Sequence, residues 1–295
     1  MKHILILILA VIALLSSCSK YLQTDPSITN RADVEIINGF EVRWGNLSQR
    51  QKIAVKRIIN NMVLVEGGIF LMGATEFDYE YAMEIEFPAH YVSLTDYYIC
   101  KYELTYDDYV DILSDFSLNS CYAPSITRHW YSSRNDWELI IDILRATTGL
   151  PFDFPTEAQW EYAARGGLKS RGYIYAGSNN HGDVWCNLKE PKGTSMPNEL
   201  GLYNMSDGVS EWCKDRFKQY SSHILEEDPC NVYGSEYVVR GGNYESCHNT
   251  NFYNVSYSFR SIDRDYRICR CSARMPADGG DAKYNNIGLR LTINI

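Results

Sequence analysis

The sequence predicts an α+β domain with a pendant N-terminus. Two observations lead there. Helix-start signatures and helical apolar spacing occur in only a few places, among many short strand-like runs and long loops rich in Tyr, Asn and Ser. No β-α unit repeats, and neither G-x-G-x-x-G nor G-x-x-x-x-G-K-[ST] occurs, so nucleotide-binding α/β folds are unsupported. No internal period suggests a solenoid or a propeller.

Taken in order, residues 1–17 read as an export signal. Met1-Lys2-His3 is a short positive start to the apolar run 4–15, which is too short to span a bilayer. The run ends in Leu15-Ser16-Ser17-Cys18 and resembles a bacterial lipoprotein cleavage site. Cys18 would then be lipidated, anchoring the chain at the cell envelope, on its periplasmic or cell-surface face. Residues 18–46 are read as a tether, polar and without period over 21–33. Ser48-Gln49-Arg50-Gln51 is a capping box with Leu47 placed as a hydrophobic staple, so a helix follows to about Asn60. That segment, 47–61, precedes the main domain, 62–295, and is expected on its outside.

Residues 62–65 and 69–72 read as strands joined by Glu66-Gly67-Gly68, and 91–94 with 97–101 as a second pair around Thr95-Asp96. Thr105 opens a helix to about Ser114, and 115–131 is a loop. Residues 133–147 are helical, with Trp137, Ile140, Ile141 and Leu144 on one face and Gly149 past the end. Thr156-Glu157-Ala158-Gln159 is another capping box, and its helix stops at Gly166-Gly167. The last strand alternates: Ile287, Leu289, Leu291 and Ile293 face one side, Gly288, Arg290, Thr292 and Asn294 the other.

The 295 residues suit one large domain with an N-terminal extension, and 45% hydrophobic content supplies its core. A net charge of −9 argues against nucleic acid as a partner. The 23 Tyr residues offer flat contact area of low entropy. Of nine Cys, eight remain once Cys18 goes to lipid, and an exported chain can oxidise them. Cys213 with Cys230 is an admissible local pair, whereas Cys269 and Cys271 are too close to pair with each other. The six His are scattered without zinc-motif spacing.

Six blocks in order identify a resemblance. They are Glu66-Gly67-Gly68-x-Phe70-x-Met72-Gly73, Lys101-Tyr102-Glu103-Leu104-Thr105, and the run from Phe154-Pro155-Thr156-Glu157 to Arg165-Gly166-Gly167. Gly201-Leu202-Tyr203-Asn204-Met205-Ser206, Arg240-Gly241-Gly242 and Gly288-Leu289-Arg290-Leu291 complete the set. Over residues 62–293 the chain resembles the formylglycine-generating enzyme family, the sulfatase-modifying factors. The resemblance implies a C-type-lectin-like fold with little regular secondary structure and bound calcium. It places calcium ligands at Asn204, Asp207, Val209 and Glu211, hard oxygen donors suited to that ion. The family's S-G-N-V-W-E-W reads here Ser206-Asp207-Gly208-Val209-Ser210-Glu211-Trp212, with the Gly moved by one.

Active members oxidise a target cysteine to formylglycine with two cysteines, five residues apart, that bind copper(I). Cys271 matches the second; the first falls on Tyr266, and Ser210 replaces the family's Trp. Both departures count against the reaction. One route stays open: Cys269 and Cys271, at i and i+2, project from one face of a strand and would offer copper soft ligands. The favoured reading is two unrelated cysteines, one buried and one disulfide-bonded.

Residues 246–274 contain no Lys, Glu, Gln, Trp or Met. Tyr, Phe, Asn, Ser and Arg fill the stretch, which resembles the variable region of retroelement-diversified lectin-fold proteins. The candidate ligand contacts are Tyr244 just before it and His248, Tyr253, Tyr257, Arg260, Tyr266 and Arg267 within it. Three functions follow: a lipid-anchored, non-catalytic binding or assembly protein for a protein or glycan ligand; a copper-dependent oxidase acting on sulfatase cysteine; and a structural subunit of an envelope complex.

Overall fold

The computed structural model describes residues 34–76, 78, 81–114, 131–184, 195–221, 225–244 and 266–295, the Tyr266 side chain excepted. Cys18 and most of the stretch 246–274 lie outside them. Among the described residues, besides a single turn at His181–Val184, four longer helices carry the helical part: α1 (Gln49–Asn60), α2 (Tyr106–Leu113), α3 (Arg134–Thr148) and α4 (Glu157–Ala164). Each starts at a capping box, from Ser48, Thr105, Ser133 and Thr156 respectively. The N-cap hydroxyl accepts from the backbone three residues on, and that residue's side chain accepts from the N-cap N–H. Two otherwise orphaned donors are satisfied at each helix start. Helix α3 ends at Gly149 in the left-handed conformation, φ 73°.

Helix α1 does not lie outside the domain, as its position ahead of the family blocks suggested. Ala54, Val55, Ile58 and Ile59 are buried in one cluster with Trp137, Ile140 and Leu144 of α3 and with Leu289 and Leu291. The Gln51 amide donates to the Ile112 carbonyl at 2.7 Å, and Arg57 pairs with Asp108 of α2. The expected tether also ends early. Val34–Ile37 and Phe40–Arg43 pair antiparallel, turning through Asn38 (φ 49°) and Gly39 (φ 83°). Asn-Gly is the residue pair a tight hairpin turn demands, and Ile37 and Val42 join the α1–α3 core.

The strand segments fall near their expected places, but two hairpins do not form. Met62–Val65 pairs with Tyr97–Cys100, and Gly68–Met72 with His90–Leu94. The two excursions, 62–72 and 90–100, thus run alongside each other and feed two different sheets. In one, Met62–Val65, Tyr97–Cys100, Thr292–Asn294 and Phe152–Asp153 lie in that order; in the other His90–Leu94 lies between Gly68–Met72 and Glu226–Glu227. A third sheet orders Arg274–Asp278, Glu236–Arg240, Ser210–Arg216 and Ile287–Gly288.

The terminal segment is not one alternating strand. Ile287–Gly288 joins the third sheet and Thr292–Asn294 the first, so the chain changes sheets across 289–291. There the Leu289 carbonyl accepts from Leu104 N–H at 2.7 Å and the Leu291 carbonyl from Cys100 N–H at 2.8 Å. Both sides are buried: Leu289, Arg290, Leu291 and Thr292 are all fully enclosed. A second apolar cluster, around Trp160, Ala163, Tyr97, Val238, Cys213 and Cys271, lies between α4 and the sheets. Among the described residues no helix is long and apolar enough to cross a membrane.

Burial of α1 in the shared core sets a testable cost. Ile58→Ala should lower unfolding free energy by about 2–5 kcal/mol in urea titration, the range for truncating a core Ile. A loss below about 0.5 kcal/mol, usual for surface positions, would put α1 back outside the domain.

Candidate functional site: a buried charge chain and the cavity beside it

All eight residues of α4 are buried, so its two glutamates must be paired inside the protein. Glu157 and Glu161, one turn apart on the same face, meet the arginines of the C-terminal third. Arg274 grips Glu157 with two bonds of 2.7 Å. Arg240 bridges Glu157 at 3.0 Å and Glu161 at 2.6 Å. Glu161 also holds Arg165 at 2.9 Å, and Arg165 faces Asp78 at 3.7 Å. Asp78 faces Arg270 at 3.5 Å, which closes on Glu86 at 2.5 Å. Four guanidinium groups and four carboxylates therefore alternate in one chain of charge, mostly sealed from water. Burial alone would raise the Glu157 carboxyl; Arg274 and Arg240 outweigh it and hold it below the usual range.

A second cluster occupies the segment expected to bind calcium. Glu211 is fully buried and accepts from Arg290 through both oxygens, at 2.7–2.9 Å. Trp160 Nε1 donates to the same carboxylate at 2.6 Å. Glu103 accepts from Asn204 Nδ2 at 2.9 Å and from Val209 N–H at 3.1 Å. Burial pushes Glu103 up to about 7; Arg290 opposes that rise and neighbouring Glu211 adds to it. Gly208 makes this approach possible. Its φ is +83°, and a Cβ there would fall 2.3 Å from Glu103 Oε1.

These residues do not fit a calcium cage built on Glu211. Both its oxygens already face a guanidinium, which supplies the positive charge and would repel an ion. Asn204 Oδ1 accepts from Ser195 Oγ at 2.9 Å, and Asp207 Oδ1 from Gly208 N–H at 2.8 Å. In the structure Glu211 is the partner of Arg290.

The two sulfurs of the C-x-C pair are in different states. Cys269 is disulfide-bonded, while Cys271 is an unbridged, fully buried thiol. Burial pushes Cys271 up to about 12, against the pull of Arg165. Cys213 and Cys230, admissible as a pair by spacing, are both unbridged.

Of the expected ligand contacts, His248, Tyr253, Tyr257, Arg260 and the Tyr266 side chain lie outside the described residues. Arg267 is half-buried in a short 3-10 turn, Tyr266–Cys269. Tyr244 is half-buried, its N–H donating to the Gly208 carbonyl at 2.9 Å. The end of the stretch is interior: Arg270, Cys271, Ser272, Ala273 and Arg274 are buried, not part of an exposed face. Sequence reading missed a cavity of about 190 Å³ beside Asp78 and Arg165. Arg165 stood in a quoted block, but nothing in the sequence marks Asp78.

If Glu211 serves Arg290 rather than an ion, Glu211→Ala should cost about 3–5 kcal/mol, the penalty for stranding a buried charge. A chelator should leave the wild-type melting temperature unchanged. Calcium-dependent melting in wild type, lost in Glu211→Ala, would reinstate the metal.

With this geometry in view, comparison with known proteins is informative. The chain is 28% identical over 251 residues to the chaperone protein LppX of Paenibacillus barcinonensis, covering 65% of this chain and 81% of that protein. It is 34% identical over 156 residues to the formylglycine-generating enzyme of Streptomyces coelicolor. That match covers 46% of this chain and only 45% of the enzyme's length. The structure of PvdO from Pseudomonas aeruginosa superposes with a TM-score of 0.59 at 20% identity, over 79% of this chain and 94% of that one. This likeness carries the fold alone: α+β, of the C-type-lectin-like kind. The sulfatase-modifying factor enzyme 1-like domain matches residues 49–136 and 121–295, and the chain belongs to that family.

Proposed function

We propose that the protein is a lipid-anchored, non-catalytic binding or assembly protein on the sulfatase-modifying-factor scaffold. One observation carries the reading: the Cys269 sulfur is held in a disulfide, and Tyr266 stands where the family's first cysteine belongs. Cys271 is left as a single buried thiol. Copper(I) is held by soft thiolates, and one sulfur cannot supply the pair that the family's reaction uses. The likeness to a chaperone over most of that relative's length supports an assembly role. The partner class is a protein or glycan at the envelope, met through the Tyr-, Asn- and Arg-rich residues before 269. The oxidase is the second reading, favoured by the 34% identity to a formylglycine-generating enzyme. A structural subunit of an envelope complex is the third.

Two measurements test this. Incubated with copper(I), oxygen and a peptide bearing the sulfatase cysteine motif, the protein should yield no aldehyde by mass spectrometry. Copper-dependent aldehyde, lost in Cys271→Ser, would sink the non-catalytic reading. The anchor rests on the apolar run ending at Cys18. Fatty-acid labelling in a bacterial host should mark the wild type and not Cys18→Ser; equal labelling of both removes the anchor.

A further inference from the structure

We propose that the free edge of the strand Gly68–Met72 takes up an extended, apolar peptide segment of a partner protein as a fourth strand of its sheet. The strand borders a three-stranded sheet, with His90–Leu94 on one side only. On the far side of His90–Leu94 the Ser93 carbonyl accepts from Asp228 N–H at 2.8 Å. Peptide groups alternate sides along a strand, so His90, Val92 and Leu94 face the border strand. Their register partners there are Met72, Phe70 and Gly68. Ile69 and Leu71 therefore turn their N–H and C=O groups away from the sheet.

Side chains close this edge at both ends and leave its middle open. Gly67 N–H donates to Asp96 Oδ1 at 2.7 Å. Gly73 N–H donates to Glu161 Oε1 at 2.9 Å, and its carbonyl accepts from Arg165 at 2.8 Å. Between these closures no described residue bonds to the outward backbone groups of Ile69 and Leu71. Natural edges are blunted by charge, Pro or a bulge. Gly-Ile-Phe-Leu-Met has none of these, and its register with residues 90–94 is unbroken.

The cavity sits at the open middle. Phe70 and Leu71 both line it. Successive strand side chains point to opposite faces, so a space that touches both lies off the free edge. Tyr162, Gly167, Ser170 and Tyr173 close its other side. At about 190 Å³ it is smaller than a drug-sized site of roughly 300–1,000 Å³, and suits one side chain of a strand running along the edge. The next side chain meets the outer face, where Ile69 is 63% exposed and Tyr91, across from Leu71, 54%.

The open groups alternate along the chain, which an extended backbone matches. Both signs of charge surround the groove: Glu66 and Asp96 near Tyr162, Glu199 behind Gly166, and Lys169 and Arg171 beside Ser170. They select no charged segment, and the aromatic walls select an apolar one. A second copy pairing through the same edge would bring its own 167–173 wall into the space its strand must fill. The proposal deepens the binding reading above, on which it rests, by giving the form of the partner.

The test is fluorescence polarisation of the full-length protein with two labelled peptides, Ser-Val-Thr-Val-Thr-Val-Ser and Ser-Leu-Thr-Phe-Thr-Leu-Ser. At least one should bind saturably. N-methylating one alternate set of its residues should weaken binding about tenfold, equal to about 1.4 kcal/mol, and methylating the other set should not. Leu71→Pro removes an outward N–H and no ladder bond, a change tolerated on edge strands, and should weaken binding as much. If that variant fails to fold, the methylated peptides still decide. No saturable binding, equal effects of the two methylated sets, or binding untouched in folded Leu71→Pro overturns the proposal. Dimerisation of the wild type by light scattering, lost in Leu71→Pro, gives the edge to a second copy and overturns it too. Neither peptide contains cysteine, so copper-dependent aldehyde with intact peptide binding would remove only the non-catalytic reading.

Discussion

The fold depends on buried guanidinium groups. Long stretches of this chain are irregular yet enclosed, and an enclosed carbonyl without a ladder partner needs a donor. Arginine brings five N–H donors in a rigid fork. Arg240 donates to the carbonyls of Cys271 and Ala273, both at 2.9 Å, while pairing with α4. Arg274 donates to Ile85 and Lys218, and Arg165 to Gly73. Arg290 donates to Cys100 and Tyr203 where the terminal segment changes sheets. Each therefore cancels its charge on a carboxylate and ties together carbonyls from separate segments. Removing one partner strands the other, whereas an all-apolar replacement of equal volume need not destabilise. The network's value here is in fixing which segments meet.

Much of this was legible in the sequence. Helices α1, α3 and α4 announce themselves through Ser or Thr with a polar residue three positions on, because capping is local chemistry. The Asn38-Gly39 turn was equally local; it escaped because its strands are only four residues each and follow a polar stretch, and so read as tether. Strand pairing was less accessible. The residues between 65 and 68, and those between 94 and 97, look like hairpin turns, yet the segments they join belong to different sheets. That choice is made by long-range burial, not by turn chemistry. The terminal strand misled for a similar reason. Alternation assigns Arg290 to a solvent face, whereas Glu211 lies 79 positions away in sequence and makes the opposite face interior.

The site was the least legible part. Sequence composition cannot tell an arginine that greets a ligand from one that cements a core. In the 246–274 stretch the arginines at 270 and 274 are cement, and their aromatic contacts are internal too. The Arg274 guanidinium lies 3.9 Å from the Tyr220 ring centre and 4.6 Å from that of Phe217. Gly242, in the quoted Arg-Gly-Gly block, has a comparable local reason. A Cβ there would lie 2.6 Å from the sulfur of Cys269, at φ +64°. The glycine is needed for close approach to the disulfide-bonded residue, whatever that residue does chemically.

These constraints separate the scaffold from its chemistry. The charge chain runs through residues 78, 86, 157, 161, 165, 240, 270 and 274 without using either sulfur of the C-x-C pair. Cys271 contributes as a small apolar body in the core around Trp160 and Ala163, a role Ala or Ser could share at modest cost. With Tyr266 beside this core the enclosed charges stay matched, because their pairing involves neither sulfur. Function must then be argued from the surface and the cavities that the network holds in place. Asp78 is where the two meet: it links Arg165 to Arg270 in the charge chain and lies, almost fully enclosed, in the wall of the cavity.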